Sequence, residues 1–414
     1  MHPRERRTSR RHFLFASAGS VAALSGADAL LRAADALAAG LGGPVGPGGI
    51  PLARRTSPVT LPIYSDNEPI GSGKDTERGP LNVFNWSEYV NPAVVKDFEK
   101  EYKVKVNITT FANEEEALAK LTSGQGSFDV WFATVEYLSR AVAGKLIQPV
   151  NRSYLPNLKN VWAQLQSPFY DVHSRYSVPY MIYTTGIAWR TDKIKKPPTA
   201  FANGYDAFWQ AKPYAGKVAI LDDQREALAM ALLHRGILDV NTENSKLVQQ
   251  AANDLKQLTK TVNVKTNTTE YTDVPTGATW LGQAWSGDMG GALNYMPKGV
   301  PVTRVAYWRP AKHAVVGSDM VTILRGAKNP VLAHHFLNYL LDNKHGLKNF
   351  SWMGYMPPLK TINPDKVVAQ GYIPKNLAST VVRESDFVNG VTLLPLTTQG
   401  QATWQNDWSA FKAG

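Results

Sequence analysis

The sequence predicts an α/β protein of two lobes, and three observations carry that expectation. The chain has 414 residues, 43% hydrophobic and 19% charged, enough to bury a large core and long for a single one. From Leu81 to Ala143 strand-like and helix-like stretches alternate, the βαβα rhythm of a mostly parallel sheet covered by helices. A similar unit recurs from Lys217 onward, and no short internal repeat is visible.

Taken in order, Leu81 and Val83 with Asn82 between them read as a half-buried strand that stops at Asn85. Pro92 to Tyr102 places Val94, Val95 and Phe98 on one face with charges opposite, a helix with proline in its first turn. Val104 to Phe111 alternates as a second strand, Glu114 to Leu121 is a helix, Phe128 to Phe132 a strand and Val135 to Ala143 a helix. Further on, Lys217 to Leu221 reads as a strand, and Arg225 to Arg235, Leu247 to Leu258 and Val331 to Leu341 as helices. A last helix runs from Trp404 to Phe411.

Charge and composition exclude several classes. The formal charge is +11, but eight arginines against three acids in residues 1–55 carry +5 of it, so overall charge bears on solubility and steering more than on a partner. With no arginine-rich helix, zinc-finger spacing or RNA-binding signature, nucleic acid is not the expected ligand. The absence of cysteine removes disulfides, thiolate zinc sites, a cysteine nucleophile and a lipid-modified cysteine. Ser9-Arg10-Arg11-His12-Phe13-Leu14 resembles a twin-arginine export motif, is followed by a mild apolar stretch to Leu24, and precedes an Ala36-Leu37-Ala38 cleavage pattern. Residues 1–38 are therefore expected to be a signal peptide. Residues 39–79, rich in Gly and Pro and without periodicity, read as a linker. Ile70-Gly71-Ser72-Gly73-Lys74 fails as a phosphate loop, because Asp75 stands where the magnesium-binding hydroxyl belongs.

The stretch with most chemistry is Leu81 to Val90. Just past the strand end come Trp86, Ser87, Glu88 and Tyr89, and in open α/β sheets ligands bind outside the carboxyl ends of strands. Catalytic patterns are missing: the eight histidines show no metal-ligand spacing, and no G-x-S-x-G elbow exists. No metal, no cofactor and no enzyme activity are expected.

The ordered set Asn85-Trp86-Ser87-Glu88-Tyr89, Phe128-Asp129-Val130 leading to Thr134, Tyr176 to Tyr180, Leu221 to Glu226, Trp285-Ser286-Gly287-Asp288, Asp319 and Gly354-Tyr355 resembles the solute-binding proteins of polyamine (spermidine/putrescine) ABC importers. That resemblance implies a two-lobed, type II "Venus flytrap" fold hinged between lobes at 80–188 plus 316–365 and 189–315 plus 366–414. It also implies an exported monomer, at the periplasmic or extracellular face, that delivers its ligand to a membrane permease. A polyamine is an apolar chain with a cation at each end, so its receptor needs carboxylates for the ammonium groups and aromatic faces along the stem. At the matching positions Trp86, Trp285 and Tyr355 are the expected aromatic walls, with Tyr89 as a supporting phenol. Asp223, Glu226, Asp288 and Asp319 are the expected ammonium acceptors, with Ser87 and Thr134 as short hydroxyls and Glu88 as a further acid. Asp223 and Glu226 also fit a helix-capping box, and both roles can coexist. The chain departs from spermidine binders at Gly317, where they carry an aromatic, which implies a thinner wall, and at Glu136, where they carry a tyrosine. Gln405 aligns loosely with a family glutamine. A sugar, a cationic amino acid or a quaternary amine are the alternative ligands for such a cleft.

Overall fold

The computed structural model describes residues 44–414; the twin-arginine motif and the cleavage pattern lie outside them. Ten strands make one curled, mixed sheet: β1 (Leu81–Trp86), β2 (Val106–Phe111), β3 (Val130–Ala133), β4 (Ile147–Gln148), β5 (Val178–Arg190), β6 (Val218–Leu221), β7 (Lys265–Asn267), β8 (Leu281–Trp285), β9 (Val305–Trp308) and β10 (Val315–Leu324). Their order is β2-β1-β3-β10-β5-β8-β6-β7, with β4 beside β10 and β9 beside β5. The parallel pairing expected from the βαβα rhythm is found at both ends, β2-β1-β3 and β8-β6-β7. The strands that join the two ends pair antiparallel, β10 with β3 and β5, and β5 with β8 and β9.

β5 is the spine of this arrangement. Its first half, Val178 to Thr185, pairs with β10, and its second half, Thr185 to Arg190, pairs with β8 and β9, so one strand serves both halves of the molecule. All thirteen of its residues are buried. A strand covered on both faces reads as a continuous apolar run with no alternation, which is why the sequence pattern does not announce it.

The helices form where the local signals place them. Asn91 accepts a hydrogen bond from the Ala93 amide, Pro92 opens the helix, and Val94, Val95 and Phe98 are its buried stripe, ending at Lys103 in the left-handed region. Apolar residues between 187 and 264 form a separate cluster with Leu393, Leu396, Trp404, Trp408 and Phe411 of the last helix, Thr398–Lys412.

Over its described part, the stretch read as a linker is not a free one. Residues 44–80 have little regular structure, yet Ile50, Ala53, Val59 and Leu61 are buried in the cluster that holds Phe84, Trp131 and Tyr176. Pro62 O accepts a hydrogen bond from Tyr176 Oη, Asn67 donates to Ile147 O, and the Arg54 guanidinium reaches Pro395 O. Gly and Pro shape this segment into a strap laid across the body of the protein. Its apolar residues are anchored one by one through long-range contacts, and such anchoring leaves no periodicity.

Candidate functional site

A cavity of about 200 Å³ lies where the two halves of the sheet meet. β1 ends as Asn85 Oδ1 takes the Trp86 amide at 2.9 Å, which turns the chain and leaves the Trp86 ring on the cavity wall beside Ser87 and Tyr89. Glu88 is a different matter: it sits at a left-handed φ of 55°, exposed to solvent, and is not among the residues lining the cavity, though its charge acts on Tyr271 of the wall. Tyr89 Oη donates to Asp319 Oδ2 at 2.5 Å, and its backbone carbonyl accepts from Tyr180 Oη. Asp319 stands on β10 where the register with β5 shifts, a bulge that re-aims its side chain. Tyr355 packs edge-on against Tyr89 with centroids 4.8 Å apart. The ring of Tyr355 also lies on Gly287, where a Cβ would approach it to 2.0 Å.

The other half contributes two helix starts. Asp223 caps the helix Gln224–His234 by accepting from the amides of Arg225 and Glu226, and it lines the cavity as well. Glu226 does not complete the capping box. Its Oε1 accepts from Thr185 Oγ1 at 2.9 Å and from Trp285 Nε1 at 3.0 Å, which ties the carboxylate to β5 and to the indole at the end of β8. Asp288 follows in the first turn of Ser286–Gly290, with buried Glu270 behind it. Thr134, at the start of Val135–Ala143, lines the cavity too, its amide held by Glu114 Oε1.

Several wall residues carry no sequence signal of their own. Phe111 packs on Trp86 at 4.7 Å, while Thr268, Thr269 and Tyr271 come from the connection after β7. Thr268 Oγ1 approaches Ala112 O at 3.5 Å, a contact between the two halves at the cavity rim. The thin wall expected at Gly317 is filled from the neighbouring strand: Tyr183 pairs with Gly317 in register, and its ring occupies the space a Cβ there would need. Gln405 is exposed, bonds Ser409 on its own helix, and lies off the cavity.

The electrostatics are those of crowded, desolvated acid. Burial pushes Asp223 and Asp319 well above the ordinary carboxylate range, reinforced at Asp223 by Glu115, Glu226 and Glu136. Burial also lifts Glu226 to about 7, against the hydrogen bonds from Trp285 and Thr185, and Asp288 to about 6, against bonds with Glu270 and Tyr355. Asp319 Oδ1 and Glu226 Oε2 are buried and have no hydrogen-bond partner among the described residues. Arg225 turns the other way, to Leu394 O at 3.0 Å and Asn241 Oδ1 at 2.8 Å, with its guanidinium over the Trp404 ring. Two carboxylate oxygens left bare inside an aromatic box make a receptor for positive charge, because an unpaired buried acid is costly and a cation relieves it.

A cleft of this kind, at the junction of two α/β halves joined by shared antiparallel strands, defines a two-lobed solute-binding protein. The family model described as "Bacterial extracellular solute-binding protein" matches residues 93–373, and the chain belongs to that family. Among characterised relatives, the chain is 29% identical over 341 residues to the spermidine/putrescine-binding periplasmic protein of Escherichia coli, covering 81% of this chain and 88% of that protein. It is 26% identical over 293 residues to a putrescine/cadaverine-binding protein of Pseudomonas aeruginosa, covering 70% and 82%. Its fold is shared with the TpPotD lipoprotein of Treponema pallidum, at a TM-score of 0.65 and 22% identity over 80% of this chain and 98% of that one. The binding protein MotA of A. tumefaciens, solved with glucopine, matches at 0.61 and 18% identity over 81% and 99%.

Proposed function

We propose that this protein is the exported binding component of an ABC importer, and that it holds a polyamine such as putrescine or spermidine in the cavity and delivers it, as a monomer, to a membrane permease. The observation that carries the reading is the pair of bare, buried carboxylate oxygens, Asp319 Oδ1 and Glu226 Oε2, in a cavity walled by Trp86, Trp285, Tyr183 and Tyr355. Ammonium groups neutralise the acids and take up their free lone pairs, while the rings hold the methylenes and face the cations, each such contact contributing about 0.5–2 kcal/mol. The names of the relatives agree with this ligand class.

The lobes proposed are 80–188 with 316–365, and 189–315 with 366–414. The placement of the last segment is supported by Asn376, which donates to Val305 O, and by Ser379, which donates to Tyr307 O, both acceptors on β9. In the closed arrangement each lobe supplies acids and rings to one solute, so release requires the lobes to part.

The test is calorimetry of the protein against amines, their N-acetylated analogues, amino acids and neutral sugars. Binding of putrescine or spermidine, much weakened by acetylation, is the expected outcome. Binding of a neutral sugar with no response to any amine would place the protein in a different ligand class.

A further inference from the structure

We propose that Glu136 is a selectivity residue: it receives an additional ammonium group at one end of the cavity, so that a linear amine with three or more cationic centres is held in preference to a diamine. The proposal rests on the polyamine reading above and sharpens it.

The acids of the cavity come from both halves of the molecule, Asp319 and Glu136 from one and Asp223, Glu226 and Asp288 from the other. At one end stands Asp288, backed by Glu270 and bonded by Tyr355. The Tyr355 ring packs on Tyr89, which in turn bonds Asp319, so Asp319 forms a second station beyond the pair of phenols. Asp223 and Glu226, on the start of one helix, form the third. Glu136 joins this third station from the opposite half: it lies in the first turn of Val135–Ala143, lines the same cavity, and its field acts on Asp223, Glu226 and Asp319.

Glu136 also opens a place to put a charge. Behind the Tyr183 ring a small chamber adjoins the cavity, lined by Glu136, Thr134, Gly317, Ser318 and Thr392. Its room of about 10 Å³ is that of one water molecule. Thr392 Oγ1 is buried there without a partner among the described residues. Gly317 lines the chamber, and the Tyr183 ring, which fills the space beside that glycine, lines both the chamber and the main cavity.

No ion pair closes this end. Among the described residues no Lys, Arg or His forms an ion pair with Glu136, Asp223, Glu226, Asp288 or Asp319. Arg225, whose charge is felt at Glu136, spends its own hydrogen bonds on Leu394 and Asn241. Five acids line the cavity against one averted guanidinium, so each further ammonium that enters has another acid to pair with. A purely structural role for Glu136, complementing the helix N-terminus, would be indifferent to the number of charges on the ligand.

The experiment compares 1,4-diaminobutane with its aminopropyl derivative, the triamine, by calorimetry on the wild-type protein, on Glu136→Gln and on Glu136→Asp, with melting temperatures to establish that each variant folds. The triamine is expected to bind wild type at least about tenfold more tightly than the diamine. Glu136→Gln is expected to lower triamine affinity by about tenfold or more while changing diamine affinity by less than about threefold. Glu136→Asp, which keeps the charge, is expected to retain most of the preference. Equal losses for both amines in Glu136→Gln, or a wild type that does not distinguish them, overturns the role of Glu136 while leaving the polyamine reading standing. Failure of folded wild type to bind either amine overturns that reading itself.

Discussion

Replacing Glu226 by glutamine separates the cost of the site from its use. The substitution preserves shape: the amide oxygen takes over the bonds from Thr185 Oγ1 and Trp285 Nε1, and the amide nitrogen stands where Oε2 faces the cavity. What it removes is an acid that burial has lifted from its ordinary 4.5 to about 7. For an acid raised in the folded state, stability is fully present below the unfolded value and is lost as pH rises through the folded one. In ligand-free wild type the window is therefore pH 4.5 to about 7, and the loss across it is about 3 kcal/mol. For a chain of this length that is about 4 °C in melting temperature. Differential scanning calorimetry of both proteins without ligand, from pH 4 to pH 8, measures it. The melting temperature of Glu226→Gln relative to wild type should climb by about 4 °C across the window, and its amine affinity at pH 8 should be lower. A difference between the two proteins that stays flat with pH would refute the claim that Glu226 is held as a desolvated acid.

Asp319→Asn should leave the fold intact, since the amide oxygen still accepts from Tyr89, and should weaken amine binding by about 2–5 kcal/mol, read by calorimetry. Gly287→Ala puts a methyl group 2.0 Å from the Tyr355 ring, so the ring must leave its place beside Asp288; a stability loss of about 1–3 kcal/mol and weaker amine binding are expected, and unchanged affinity would show that Tyr355 is not part of the box. Leu61→Ala in the strap should cost about 2–5 kcal/mol in chemical denaturation, whereas a true linker position would be silent.

How much of this was legible in the sequence depends on whether a residue's role is local. The helix Pro92–Tyr102 announces itself because its cap, its proline and its apolar stripe all lie within one dozen residues. The strand-end cluster at Trp86 and the acids Asp223, Asp288 and Asp319 were legible by their resemblance to an ordered family pattern, and Glu88 shows the limit of that route: a carboxylate in the right block faces water because its backbone turns left-handed. Tyr183 was illegible for another reason. Its place in the wall follows from pairing with Gly317 across β5 and β10, residues far apart in the chain whose register no local pattern states. The same holds for the strap, where Ile50, Val59 and Leu61 are each buried by a distant partner.

The physical picture joins stability to function in one site. A cavity that buries Asp223, Glu226, Asp288 and Asp319 with no ion-pair partner among the described residues is less stable, when ionised, than an apolar cavity of the same shape would be. The raised proton affinity of these buried acids lowers that cost in the empty protein, and a polycation bound as proposed would displace the protons. Amine binding should therefore release protons and weaken as pH falls through about 7 and then about 6, the ranges in which Glu226 and Asp288 protonate. Calorimetry in buffers of different ionisation enthalpy measures that release directly. Because a neutral sugar would displace no protons from these acids, a binding heat independent of the buffer would argue against a cationic ligand by a route that does not involve changing any residue.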